Sequence, residues 1–318
     1  MRRTVYVVIG AIALLASLLS AVAGVILGGG VLHPMVRPLT PELIQRSHHA
    51  FQELNATVED FVVQAPDGVL LRGWKVRSRQ GNGDWALLFH GVSDNRTGML
   101  GQAQLLLRHG YCLVMMDARA HGESGGGMAT YGWLERNDTR AIIDALYATE
   151  TASSVFGLGS SMGASIALQS AGVDPRIVGV VAESSFSDLR EVTYDYAGLH
   201  WTPWLGKTFF RPATWTALSE AEKQGGFEAD DVSPEKSVAA RPFPVLLICD
   251  ALDHIIPCRH SRRIFEAALG PKEMWEVPHS DHASAIGTAP AEYEQRVIAF
   301  FELHRAGPTV TSRSTATR

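Results

Sequence analysis

Apolar and polar positions follow three successive patterns along the chain. From Thr4 to Leu32 there is no charged residue, and 22 of the first 32 residues are apolar. As a helix rising about 1.5 Å per residue, this stretch exceeds the roughly 30 Å of a bilayer's hydrocarbon layer, so it predicts a membrane span. Arg2 and Arg3 precede it. Positive charge is retained in the cytoplasm, which places the N-terminus inside and everything after His33 outside. A cleaved signal peptide also fits, with Val5 to Leu19 as its apolar region and Ala21-Val22-Ala23 as its cleavage site. The uninterrupted run from Val25 to Leu32 favours an uncleaved anchor over residues 1–33, and both readings export the body.

Residues 34–57 read as a polar connector carrying one short helix. Beyond it, Val58 to Ala65 and Val69 to Val76 flank Pro66-Asp67-Gly68, which predicts a hairpin. The pattern then changes to short, mostly apolar runs: Trp85 to Phe89, Tyr111 to Met116, Ser154 to Leu158, Ile177 to Ala182, Pro244 to Cys249 and Met274 to Val277. Amphipathic stretches of helical period separate them: Met99 to His109, Trp133 to Glu150, Met162 to Ala171, Arg259 to Leu269 and Glu292 to His304. Apolar strands alternating with helices predict a parallel sheet covered on both faces, whose ligands sit beyond the carboxyl ends of the strands. The interval 188–241 is too long for a simple crossover. It holds Tyr194, Tyr196, Trp201, Trp204, Phe209, Phe210 and Trp215, and predicts a helical cap. The polar tail, 305–318, predicts disorder.

Composition adds one exclusion and one open question. Five of the 28 basic residues, Arg2, Arg3, Arg305, Arg313 and Arg318, sit at the ends, leaving 23 against 33 acidic residues between them. A body this acidic argues against nucleic acid as a partner. Of the three cysteines, Cys112 and Cys249 lie in apolar runs and read as small buried hydrophobes. A bridge from Cys249 to Cys258 is the alternative, since an exported domain permits one. No metal-ligand spacing is present, and neither metal nor cofactor is expected.

Two Gly-x-Ser-x-Gly matches occur, and their context separates them. Gly159-Ser160-Ser161-Met162-Gly163 joins a predicted strand to a predicted helix, as a nucleophile elbow requires. Gly122-Glu123-Ser124-Gly125-Gly126 lies in a glycine-rich loop, so Ser161 is preferred to Ser124. Ser160 is set aside because its flanking positions, Leu158 and Met162, are large. A serine nucleophile needs a base, and the base needs an acid to fix its tautomer. Asp253 lies out in the loop after one strand, whereas Asp250 caps that strand directly, so Asp253 is the preferred acid. His282 is preferred to His279 as the base after the last strand. The turn after Trp85 to Phe89 offers the Val92 amide, which with the Met162 amide would form an oxyanion hole. His90 reads as structural rather than as a second base, and Asp117 to Ser124 as an ion-paired bracing loop.

On these residues the chain resembles the α/β-hydrolase superfamily, within it the lysophospholipase-like and prolyl-oligopeptidase-like serine hydrolases. The resemblance rests on His90-Gly91, Asp117-x-Arg119-x-His121-Gly122-x-Ser124, the elbow at Ser161, Glu183-Ser184-Ser185-Phe186, Asp253-x-x-Ile256-Pro257 and Asp281-His282. It implies an α/β fold: an eight-stranded, mostly parallel sheet with an antiparallel first hairpin and a cap after the sixth strand, spanning 58–304. It implies hydrolysis through Ser161, Asp253 and His282. Ala120, where relatives usually carry glycine, and His279-Ser280, where they often carry small residues, depart from the pattern. Aromatic residues in the cap fit a lipid or other acyl ester as substrate if they line a pocket, although they fit the cap's own core equally well. A peptidase of the same fold is the nearest alternative, and a membrane-tethered binding protein is the alternative of another class.

Overall fold

The computed structural model describes residues 2–197, 203–208 and 210–305. Most of the predicted tail, along with Trp201 and Phe209 of the cap, lies outside these residues. The chain opens with α1 (Arg2–Leu32) and α2 (Pro41–Glu53), then the hairpin β1 (Thr57–Gln64) and β2 (Leu70–Arg77). There follow β3 (Asp84–Phe89), α3 (Leu100–Arg108), β4 (Cys112–Met116), α4 (Glu135–Thr149), β5 (Ser154–Ser160), α5 (Met162–Val173) and β6 (Ile177–Glu183). Three cap helices come next, α6 (Leu189–Ala197), α7 (Pro203–Lys207) and α8 (Arg211–Gly225), and then α9 (Pro234–Ala240), which packs against α5 and places Val238 in a core of the sheet. The chain closes with β7 (Val245–Asp250), α10 (Arg259–Ala267), β8 (Lys272–Val277), α11 (Ala285–Thr288) and α12 (Pro290–His304).

One eight-stranded sheet has the order β1-β2-β4-β3-β5-β6-β7-β8. Strand β2 runs antiparallel to both β1 and β4, and every later pairing is parallel. Alternate side chains of β3 show why its sequence is a continuous apolar run: Trp85 and Leu87 enter one core, and Ala86 and Leu88 the other. The aromatic centre of one face is Tyr111, Phe156 and Phe301, with Phe156 and Phe301 stacked at 4.2 Å. Phe51 of α2 packs edge-on to Trp74 in that same core. A third cluster, under the cap, includes Phe186, Leu218, Phe227 and Ile256, together with Leu32 from the end of α1.

One expectation is corrected. Cys249 is not a free buried hydrophobe but is bonded to Cys258, with 5.3 Å between their Cα atoms. The loop after β7 returns to the strand end before α10 begins, which brings the two sulfurs together. Cys112 is free and buried.

Candidate active site

The elbow is built by steric necessity. Ser161 has φ +56° and ψ −122°, between the end of β5 and the start of α5. Such a conformation strains a residue bearing a Cβ, and strain of this kind collects at functional sites. The flanking glycines permit it. A Cβ on Gly159 would lie 2.4 Å from the Gly163 carbonyl oxygen, and one on Gly163 would lie 2.1 Å from the Phe89 carbonyl oxygen. The Ser161 amide donates to the Glu183 carbonyl at 2.8 Å, tying the turn to β6.

The structure brings Ser161, His282 and Asp253 together from three different strand ends. His282 Nε2 lies 2.9 Å from Ser161 Oγ, and His282 Nδ1 lies 2.7 Å from Asp253 Oδ2. The other carboxylate oxygen of Asp253 accepts the Ile255 and Ile256 amides, both at 2.8 Å, which fixes its plane. Asp250 is employed elsewhere: it accepts from Ser184 Oγ at 2.8 Å and the Ala283 amide at 3.1 Å, bracing β6 against the loop that carries His282. Burial raises the Asp250 carboxyl above its ordinary range. His279 is exposed on the turn after β8.

Behind this row lies a buried carboxyl group that sequence reasoning placed in a motif but gave no role. Glu183 accepts the Ala285 amide at 2.9 Å, and the Tyr293 hydroxyl lies 3.4 Å away. Burial, with the Asp250 charge adding to it, pushes its pKa up to about 7. A second unforeseen group is His260 on α10, fully buried beside the Ser187 hydroxyl at 2.8 Å and Asp195 at 2.9 Å. Its pairing crosses from α10 to the cap, and no local spacing announces it.

Val92 and Met162 both line the cavity that contains Ser161. Met162 opens α5, so its amide has no acceptor within the helix. The Val92 turn is pinned from behind, because a ring nitrogen of His121 lies 2.6 Å from the Val92 carbonyl and the other lies 2.8 Å from the Arg119 carbonyl. His90 accepts the Ala118 amide on Nε2 at 2.9 Å, which leaves the proton on Nδ1, 2.8 Å from the Gly91 carbonyl. Burial, reinforced by the neighbouring His121, lowers the His90 pKa to about 3, so this ring is neutral and structural. The loop from Asp117 braces the same region. Arg96 donates to Asp117 from both its amide and its guanidinium at 2.8 Å, and Arg119 clasps Asp138 at 2.7 and 2.6 Å. Ser124 is structural, donating to the Asp117 carbonyl at 2.7 Å. Ala120 occupies φ +60°, a conformation that glycine adopts without strain.

The cavity has a volume of about 720 Å³ and a mostly apolar lining. Two described aromatic residues of the cap, Tyr196 and Phe210, line it, while Trp204 and Trp215 are exposed. The small core of the cap is made instead by Leu218, Phe227 and their neighbours.

A model of the Alpha/beta hydrolase family matches residues 86–296. The chain is 26% identical over 258 residues to YqkD of Bacillus subtilis (strain 168), which covers 80% of this chain and 81% of that protein. It is 25% identical over 253 residues to YfhR of Escherichia coli (strain K12), covering 77% and 80% respectively. The esterase Pf2001 of Pyrococcus furiosus matches with a TM-score of 0.67 at 23% identity, over 86% of this chain and 100% of that one. The acylaminoacyl peptidase of Pyrococcus horikoshii matches with a TM-score of 0.60 at 17% identity, over 80% of this chain and 42% of that one. These structural likenesses speak to the fold.

Proposed function

Since the chain belongs to the Alpha/beta hydrolase family, we propose that it is a membrane-anchored serine hydrolase that cleaves carboxylic esters of acyl groups. The observation that carries this reading is the continuous row Ser161, His282, Asp253, with contacts of 2.9 and 2.7 Å. His282 Nε2 takes the Ser161 proton as Oγ attacks the ester carbonyl. The Val92 and Met162 amides receive the developing oxyanion, and Asp253 stabilises the imidazolium. His282 then protonates the leaving alcohol, and a water it deprotonates releases the acid from the acyl-enzyme.

The preference for esters rests on the apolar cavity beside Ser161, which suits a hydrocarbon chain. α1 is long and apolar enough to cross a membrane. The Cys249–Cys258 bond supports an oxidising compartment for the body, in keeping with a cytoplasmic N-terminus and an external catalytic domain. Full-length protein in detergent, assayed on p-nitrophenyl esters beside aminoacyl p-nitroanilides, is expected to turn over the esters. Amide turnover without ester turnover would reverse the assignment in favour of a peptidase, and turnover of neither would favour a binding protein.

A further inference from the structure

The apolar helix α1 does more than leave the body and enter a bilayer. Its described side chains are exposed from Arg3 to Leu19, but from Ser20 onward it lies against the cap. Two glycines one turn apart form the seam with α8. A Cβ on Gly24 would lie 1.8 Å from Thr216 Oγ1, and one on Gly28 would lie 2.9 Å from the Glu220 Cβ. Thr216 Oγ1 also donates to the Ala21 carbonyl at 3.1 Å. Small residues spaced by four are how helices approach closely, and the hydroxyl adds a bond across the seam. At its end the helix is fastened twice more: Tyr131 donates to the Val31 carbonyl at 2.5 Å and the Ala129 amide to the Leu32 carbonyl at 2.9 Å.

This seam forms one side of the cavity that holds Ser161. Gly24, Gly30 and Val31 line it together with Met162 and Phe186. About 20 helical residues cross a hydrocarbon layer of roughly 30 Å. Counted from Thr4, the span ends near Ala23, one residue before the first cavity-lining position. Trp215, adjacent to Thr216 on α8, is more than half exposed at that level, where an interfacial aromatic residue belongs.

We propose that the membrane anchor is itself a wall of the acyl subsite, and that the site receives a single acyl chain of a membrane-borne ester passing directly from the bilayer along the α1–α8 seam. This inference rests on the serine-hydrolase reading and specifies where its substrate enters. Burial of each methylene contributes roughly fourfold in affinity. Opening the seam so that two or three methylenes lose their contacts therefore lowers selectivity for long chains by about tenfold or more.

The test uses the full chain in phosphatidylcholine vesicles, with p-nitrophenyl palmitate and butyrate as probes and fluorophosphonate labelling of each variant as the measure of active protein. Gly28→Leu wedges the seam without lining the cavity, and should lower the palmitate-to-butyrate ratio of kcat/KM at least tenfold. Gly30→Leu adds its side chain where a Cβ meets nothing within 4 Å, so folding is preserved, and it should lower the same ratio by narrowing the cavity. Gly10→Leu, on the exposed part of α1 where a Cβ also meets nothing, should leave the ratio unchanged. An unchanged ratio in Gly28→Leu or in Gly30→Leu, or an equal fall in Gly10→Leu, overturns the inference while leaving the hydrolase reading intact. Absence of both turnover and labelling in the wild type overturns the hydrolase reading, and this inference with it.

Discussion

The bond between Cys249 and Cys258 closes a ring around the loop that carries Asp253, and removing it should weaken both the fold and the site. The two cysteines are nine positions apart. Closing a loop of that length restricts the unfolded chain by an entropy worth about 2.5 kcal/mol near room temperature. For a domain of this size, each kcal/mol moves the melting temperature by about 2–4 °C. Opening the bond should therefore lower it by roughly 5–10 °C. Replacing both cysteines by alanine also removes a buried sulfur at position 249, which is 1% exposed, so a reductant is the necessary second arm. The assay is thermal unfolding of the full chain in detergent, wild type and Cys249→Ala/Cys258→Ala, each with and without dithiothreitol. The expected outcome is a drop in the wild type on reduction and no response in the double variant, with kcat falling alongside because Asp253 loses its restraint. A wild type indifferent to reduction, or a double variant that responds equally, would refute the reasoning.

Other expectations follow from the carboxyl groups near the site. Glu183 holds its proton to about pH 7 in the folded protein against an ordinary 4.5. The folded state thus carries one more proton between those values, and unfolding free energy falls as pH rises through that window, by roughly 3 kcal/mol at most. Glu183→Gln should flatten that slope in denaturant titrations at pH 5 and 7.5, and an unaltered slope would assign it to other groups. Asp253→Asn should lower kcat by about 10³–10⁴ through loss of the correct His282 tautomer. Asp250→Asn should act mainly on stability, with kcat within about tenfold of wild type, since a neutral amide at 250 still accepts from Ser184. Equal losses of kcat in the two variants would remove the distinction between them.

The reach of the sequence follows physical lines. Strands buried on both faces write themselves as apolar runs, so β3 to β7 were readable to within a residue or two. β8 shows in the sequence only from Met274, because two exposed charged residues, Lys272 and Glu273, open it at the sheet edge. The elbow was legible because Gly159 and Gly163 have no room for a side chain, and Asp253 because it lies beyond the strand end that Asp250 caps. The disulfide was less legible: inside β7, Cys249 looks like any small apolar residue, and only the return of the chain brings Cys258 to it. The seam between α1 and α8 leaves little trace in the sequence, since a helix apolar all round looks the same facing lipid or protein. Gly24 and Gly28 were its one local sign. The same holds for His260 and Asp195, whose 2.9 Å contact joins segments 65 positions apart.

The most direct measurement of the central claim is labelling by a fluorophosphonate probe, which reacts only with an activated serine. Wild-type protein in detergent should be labelled and should lose ester turnover in proportion, while Ser161→Ala, folded and membrane-associated, should show neither labelling nor turnover. Equal labelling of wild type and Ser161→Ala would contradict the assignment of Ser161 as the nucleophile.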